Sequence, residues 1–112
     1  MRRVTLMLAA MAMMVSLFAA VAYAATINGT RVGETLIETT ENDKIHGHGG
    51  SDFIDAGFFI GDTDVVFGGK GRDGIDVHDG DNLDTVYGGK GRDHCIGDPR
   101  DQLDCEVQVV PK

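Results

Sequence analysis

Gly68-Gly69-Lys70-Gly71-Arg72-Asp73 recurs letter for letter as Gly88-Gly89-Lys90-Gly91-Arg92-Asp93, twenty residues later. A repeat this short is one coil of a solenoid, because a single unit cannot bury its own apolar face and must stack on the next. The match extends outward, since Asp64-Val65-Val66-Phe67 precedes the first copy as Asp84-Thr85-Val86-Tyr87 precedes the second. A third copy, Asp43-Lys44-Ile45-His46-Gly47-His48-Gly49-Gly50-Ser51-Asp52-Phe53-Ile54, lies twenty-one residues upstream, with His48 in the place of the second glycine. Inside each coil the element Asp-x-aliphatic occurs twice, nine residues apart: Asp43 and Asp52, Asp64 and Asp73, Asp84 and Asp93. Each coil is therefore two half-turns. Leu36, Ile45, Ile54, Val66, Ile75, Val86 and Cys95 hold the aliphatic place, each on a three-residue strand whose alternation sends one side chain inward. Together they predict a thin central column in an all-β chain.

The first two dozen residues read as a targeting segment. Arg2 and Arg3 give a basic start, Val4 to Val21 an apolar stretch and Ala22-Tyr23-Ala24 a small-x-small cleavage signal. The competing reading is an uncleaved anchor, because the apolar run approaches the ~18 residues of a spanning helix. The Ala-x-Ala end favours a signal peptide over residues 1–24, a mature domain over 25–112, and a secreted, extracellular product with no stable membrane insertion. Without Arg2 and Arg3, eight basic residues face eighteen acids, a net charge of −10. That balance argues against nucleic acid and anionic membrane as partners. A domain of this size is near the lower limit for a self-sufficient core and needs help to fold.

The acids recur in register with glycines, and the pairing has a chemical sense. Gly-Gly-x-Gly can take φ > 0 and brings carbonyl oxygens together without Cβ clash, and the Asp at the sixth place adds a carboxylate. Calcium takes six to eight hard oxygen ligands in a tolerant geometry, whereas magnesium demands a strict octahedron. Stacked oxygen-rich turns suit the former.

Gly68-Gly69-Lys70-Gly71-Arg72-Asp73-Gly74-Ile75-Asp76 resembles the nonapeptide G-G-x-G-x-D-x-U-x of RTX, or haemolysin-type, calcium-binding repeats. Gly88 to Ile96 fits with Cys95 in the aliphatic place, and Gly47 to Asp55 fits apart from His48. The resemblance spans roughly Gly29 to Asp104. It implies a parallel β-roll of about three to four coils, with Ca2+ held between turns one coil apart. On that likeness Asp52, Asp73 and Asp93, with the carbonyls around Gly47, Gly68, Gly69, Gly88 and Gly89, form one ladder of calcium sites. The opposite ladder, Asp43, Asp64 and Asp84, is in register but lacks paired glycines. The segments before it, Glu38 to Asn42, Phe59 to Thr63 and Asp79 to Leu83, are two or three residues longer than the nonapeptide allows. Two readings stay open for these three Asp residues: calcium ligands, or caps that bond backbone N–H groups. Asp79-Gly80-Asp81 is not an EF-hand, having neither the glycine at the sixth place nor the acid at the twelfth.

Gly29 to Leu36 reads as a cap that starts the first coil, with Glu34 in the Asp place. Asp98 to Glu106 reads as the closing cap, holding the twenty-residue register through Asp104 without a glycine turn. Cys95 and Cys105 are the only cysteines. An even count in an exported chain favours a disulfide, with two small buried thiols as the alternative. His46 shares its coil position with Phe67 and Tyr87, which predicts a column of three rings on one outer face, and Phe53, Phe58 and Phe59 add apolar surface nearby. That face offers a second function, a calcium-dependent interaction with a cell-surface or protein partner. A metal-dependent hydrolase built on His46 and His48 is a third, weaker reading. Ser51 is the only Ser beyond residue 24, inside a glycine turn, and no nucleophile elbow, zincin helix or phosphate loop occurs. The expectation is a non-enzyme.

Overall fold

The computed structural model describes residues 24–80 and 83–111. The expected leader lies almost wholly outside the described residues. Among the described residues ten three-residue strands follow one another: β1 (Thr26–Asn28), β2 (Thr35–Ile37), β3 (Lys44–His46), β4 (Phe53–Asp55), β5 (Val65–Phe67), β6 (Gly74–Asp76), β7 (Thr85–Tyr87), β8 (His94–Ile96), β9 (Gln102–Asp104) and β10 (Val107–Val109). Odd strands form one five-stranded sheet and even strands the other, each in chain order. Every pairing is parallel. The chain thus crosses from sheet to sheet at every turn, the β-roll that the repeats require.

In a three-residue strand only the middle side chain faces the opposing sheet. Ile45, Val66 and Val86 do so from one sheet and Ile54, Ile75 and Cys95 from the other, all buried. Leu36, at the open end, is half-buried and packs against this column, as do Ile27, Leu103 and Cys105. Ala56 and Val77 complete the core; they stand two residues beyond Ile54 and Ile75, an inward place that the Asp-x-aliphatic pattern does not mark.

The register confirms the two periods read between repeats. Lys44 pairs with Val65, twenty-one residues on, and Val65 with Thr85, twenty residues on. The three coils legible in the sequence occupy the middle, and β1–β2 and β9–β10 extend each end, so that five strand pairs stack with about four turns from the first to the last. The closing coil departs from expectation. Thr85 pairs with Gln102 and His94 with Val107, so the last steps are seventeen and thirteen residues and the twenty-residue register through Asp104 does not hold. Without a glycine turn to accommodate, the chain takes shorter connections. Asp104 falls at the end of β9, beside Tyr87, and Asp101 takes the ladder place. A disulfide joins Cys95 to Cys105, Cα atoms 6.2 Å apart, and ties this short coil to the column.

Candidate metal centre

The turns between strands stack as two ladders, and in both the Asp before each strand is buried: Asp52, Asp73 and Asp93 in one, Asp43, Asp64 and Asp84 in the other. One carboxylate oxygen of each does the same mechanical job. Asp52 Oδ1 accepts the Glu34 N–H (2.9 Å), Asp73 Oδ1 that of Asp52 (2.8 Å) and Asp93 Oδ1 that of Asp73 (2.9 Å). Glu106 ends the series, its Oε2 taking the Asp93 N–H at 2.8 Å. In the other ladder Asp43 Oδ1 accepts from Ala25, Asp64 Oδ1 from Asp43, Asp84 Oδ1 from Asp64 and Asp101 Oδ1 from Asp84. Each Asp therefore staples its own coil to the preceding one, satisfying an N–H that the sheet leaves over.

The glycines separate the ladders. Asp52, Asp73 and Asp93 each hold a buried Oδ2 with no hydrogen-bond donor, as Asp64 does in the other ladder, but these three each face a glycine. The point where a Cβ on Gly47 would stand is 2.5 Å from the Gly68 carbonyl oxygen and 2.6 Å from Asp52 Oδ2. At Gly68 the same point is 2.6 Å from the Gly88 oxygen and 2.7 Å from Asp73 Oδ2; at Gly88 it is 2.7 Å from Asp93 Oδ2 and 3.1 Å from the Asp104 oxygen. A carboxylate oxygen and the next coil's carbonyl thus crowd the same glycine Cα, so no side chain fits there. Oxygens brought together in this way repel, and a hard cation lying between the coils, with bonds of about 2.3–2.6 Å, would relieve them. The donor set fits calcium.

Burial raises the affinity of these carboxyls for protons, because the charged form loses its hydration. Asp73 is pushed up to about 6 by burial, with the charges of Asp93 and Asp52 adding to it and the Asp52 N–H opposing. Asp52 and Asp93 are also raised, burial being the first cause in each. Asp64 is pushed up to about 9 by burial, then by Glu38 and the charge of Asp62. Asp43 differs in geometry. Its Oδ1 takes the Ala25 N–H and its Oδ2 the Thr39 N–H, and the Thr39 hydroxyl bonds both.

The glycines do what the pattern demands. Gly69 (φ 90°) and Gly89 (φ 88°) are left-handed, and His48 in the equivalent place takes φ 69°, the one non-glycine residue with positive φ among the described residues. The His48 ring stacks on His46 at 5.6 Å, with Nε2 3.3 Å from Asn28 Oδ1. His46, Phe67 and Tyr87 form the expected column, with centroids 4.8 and 5.2 Å apart. Phe53 lies instead on β4 in the other sheet, half exposed, and Phe58 and Phe59 lie in the β4–β5 turn, so they do not extend that face. Among the described residues, only Glu38, Asp62 and Asp64 bring three or more His, Cys or acidic ligand atoms within 4.8 Å of one another. His46 and His48 gain no third side-chain ligand of that kind. Sequence reasoning passed over Glu106 and Asp101 as ladder ends, because neither carries a glycine turn.

A parallel roll of glycine–aspartate turns, with buried carboxylates paired against carbonyls between coils, defines a metal-binding repeat protein. Residues 39–60 and 76–99 match the RTX calcium-binding nonapeptide repeat, described as four copies. The chain therefore carries the calcium-binding repeat of the RTX family, and RTX nonapeptide repeats bind Ca2+. No curated protein and no solved structure matches the chain. RTX rolls are structural calcium-binding domains, not typically enzymes, and proteins that carry them are commonly secreted.

Proposed function

We propose that the protein is exported, loses residues 1–24, and acts as a calcium-binding β-roll whose folding is coupled to the metal. Asp52, Asp73 and Asp93 supply the side-chain ligands, and carbonyls around Gly47, Gly68, Gly69, Gly88 and Gly89 the remainder. One observation carries this reading: three successive coils each hold a donorless, buried carboxylate oxygen beside a neighbouring carbonyl, against a glycine where no side chain would fit. Without a cation these charges are buried at high cost, and a core made of one residue per strand does not offset the chain entropy. With a site Kd near ~0.1 mM, about 1 mM calcium contributes roughly 1.4 kcal/mol per site, so several sites decide folding.

Far-ultraviolet circular dichroism titrated with calcium tests this directly. The chelated protein should be largely disordered, calcium should produce the strand spectrum, and magnesium at matched concentration should fail, since these turns do not contract to a roughly 2.0–2.1 Å octahedron. Unchanged strand content after calcium removal would reject the coupling. A second reading, a calcium-dependent interaction surface, is supported by the His46–Phe67–Tyr87 column. It borders a shallow depression lined by Arg31, His48 and Lys70, and Tyr87 is 44% exposed. Retention on a polysaccharide or cell-wall matrix that requires both calcium and Tyr87 is the expected sign of it.

A further inference from the structure

The ladder without paired glycines is built differently, and its first step gathers three acids. Glu38 stands five residues before Asp43, as Gly47 does before Asp52; Asp62 stands two before Asp64, as Gly71 does before Asp73. Where the nonapeptide ladder has no side chain, this ladder has carboxylates. Glu38, Asp62 and Asp64 are 6%, 5% and 0% exposed, and one ligand oxygen from each lies within 4.8 Å of the others. Two of the three are anchored by one oxygen and offer the other. Glu38 Oε1 accepts the N–H groups of Phe58 and Phe59, and Asp64 Oδ1 accepts that of Asp43 at 2.7 Å. Glu38 Oε2 and Asp64 Oδ2 are buried in the cluster and meet no donor.

We propose that Glu38, Asp62 and Asp64 form a further divalent-cation site, of the calcium class, that bridges the first two repeat coils on the side where the nonapeptide pattern fails. The ligands are all hard oxygens, which favours calcium, manganese or magnesium over zinc or copper. Calcium tolerates an irregular shell of carboxylate oxygens, whereas magnesium demands a strict octahedron, so calcium is the better fit. The longer turns have a purpose on this view, because the extra residues let Glu38 and Asp62 reach inward where glycine carbonyls would otherwise approach. The site stands on these carboxylates and not on the glycine ladder.

The test counts metal. After equilibrium dialysis against about 1 mM calcium, E38Q and D62N should each bind one ion per chain fewer than the unmodified protein. D73N should lose ions from the other ladder and keep this one. An unchanged count in E38Q and D62N overturns the proposal, whereas unmodified protein that binds no calcium at all overturns the glycine-ladder reading as well. If a variant does not fold, the unmodified, calcium-folded protein decides. Substoichiometric Mn2+ should broaden the amide resonances of Phe58 and Phe59, which donate to Glu38. Sharp Phe58 and Phe59 signals, while amides near Gly68 and Gly88 broaden, would overturn it.

Discussion

Asp73 has two oxygens with two employments: Oδ1 staples the Asp52 N–H at 2.8 Å, and Oδ2 stands beside Gly68 without a donor. Asp73→Asn keeps an acceptor for the staple and removes the charge that a cation needs. Its calcium affinity, measured by calorimetric titration, should fall at least about tenfold, as loss of one charge-assisted ligand implies. Asp43→Asn should behave otherwise, because both Asp43 oxygens are occupied by Thr39 and Ala25; it should lose about 1 kcal/mol of stability and little affinity. Equal affinity losses in the two variants would show that Asp43 is also a ligand. Gly71 makes the steric counterpart. It takes φ 113°, and a Cβ there would stand 2.1 Å from the Gly50 carbonyl oxygen. Gly71→Ala should cost about 1–2 kcal/mol for the backbone conformation alone, with the clash in addition, so its denaturation midpoint in saturating calcium should fall. An unshifted midpoint would mean that the coils separate easily at this turn.

At the scale of elements the roll is a stack of three-residue strands, each too short to persist alone, so the ends matter more than in a larger sheet. The last coil is held by the Cys95–Cys105 bridge, by the Asp93 N–H bonded to Glu106 and by Gln108, whose amide donates to the carbonyls of Leu103 and Cys105. A bridge closing a loop of ten residues is worth roughly 2–3 kcal/mol. Cys105→Ser should lower the unfolding free energy from urea titration by that amount, with a lower midpoint, and speed hydrogen exchange in β9 and β10 first; an unaltered midpoint would count against the bridge. These end features also mark what the sequence could tell. The central strands were legible because Asp-x-aliphatic recurs nine residues apart, a period that only a two-sided coil satisfies. The ring column followed from His46, Phe67 and Tyr87 sharing one register. The closing register did not follow, since Asp104 sits at the twenty-residue interval by coincidence of spacing while the backbone, free of a glycine turn, shortens and puts Asp101 and Glu106 on the ladders. Nor did the acid cluster: Glu38 and Asp62 read as departures from the glycine pattern, and only the fold shows that they point at Asp64.

Taken as a whole, the molecule is a narrow stack of like charges, and protons and calcium compete to neutralise it. Asp73 is held near about 6 and Asp64 near about 9, against an ordinary value of 3.8, chiefly by burial; Asp52 and Asp93 move the same way. A carboxyl whose folded value exceeds its unfolded one binds more protons in the native state. Its contribution to stability is therefore fully present below 3.8 and lost as pH rises through the folded value. Glu106 has the opposite sign: its value is lowered from 4.5 by the Asp93 N–H, so its support of the last coil is present above 4.5 and lost in stronger acid. Metal-free protein should then be most structured near about pH 5, between these opposing windows, and should lose strand content as pH rises toward about 8. Calcium should abolish that loss, and its binding near pH 6 should release protons, because the metal takes the oxygens the protons held. Circular dichroism of metal-stripped protein across this range, with and without calcium, and calorimetry in two buffers of different ionisation enthalpy, check both statements. A metal-free chain with no more strand at pH 5 than at pH 8, or calcium binding without proton release, would mean that the buried carboxylates are not the groups that keep the coils apart.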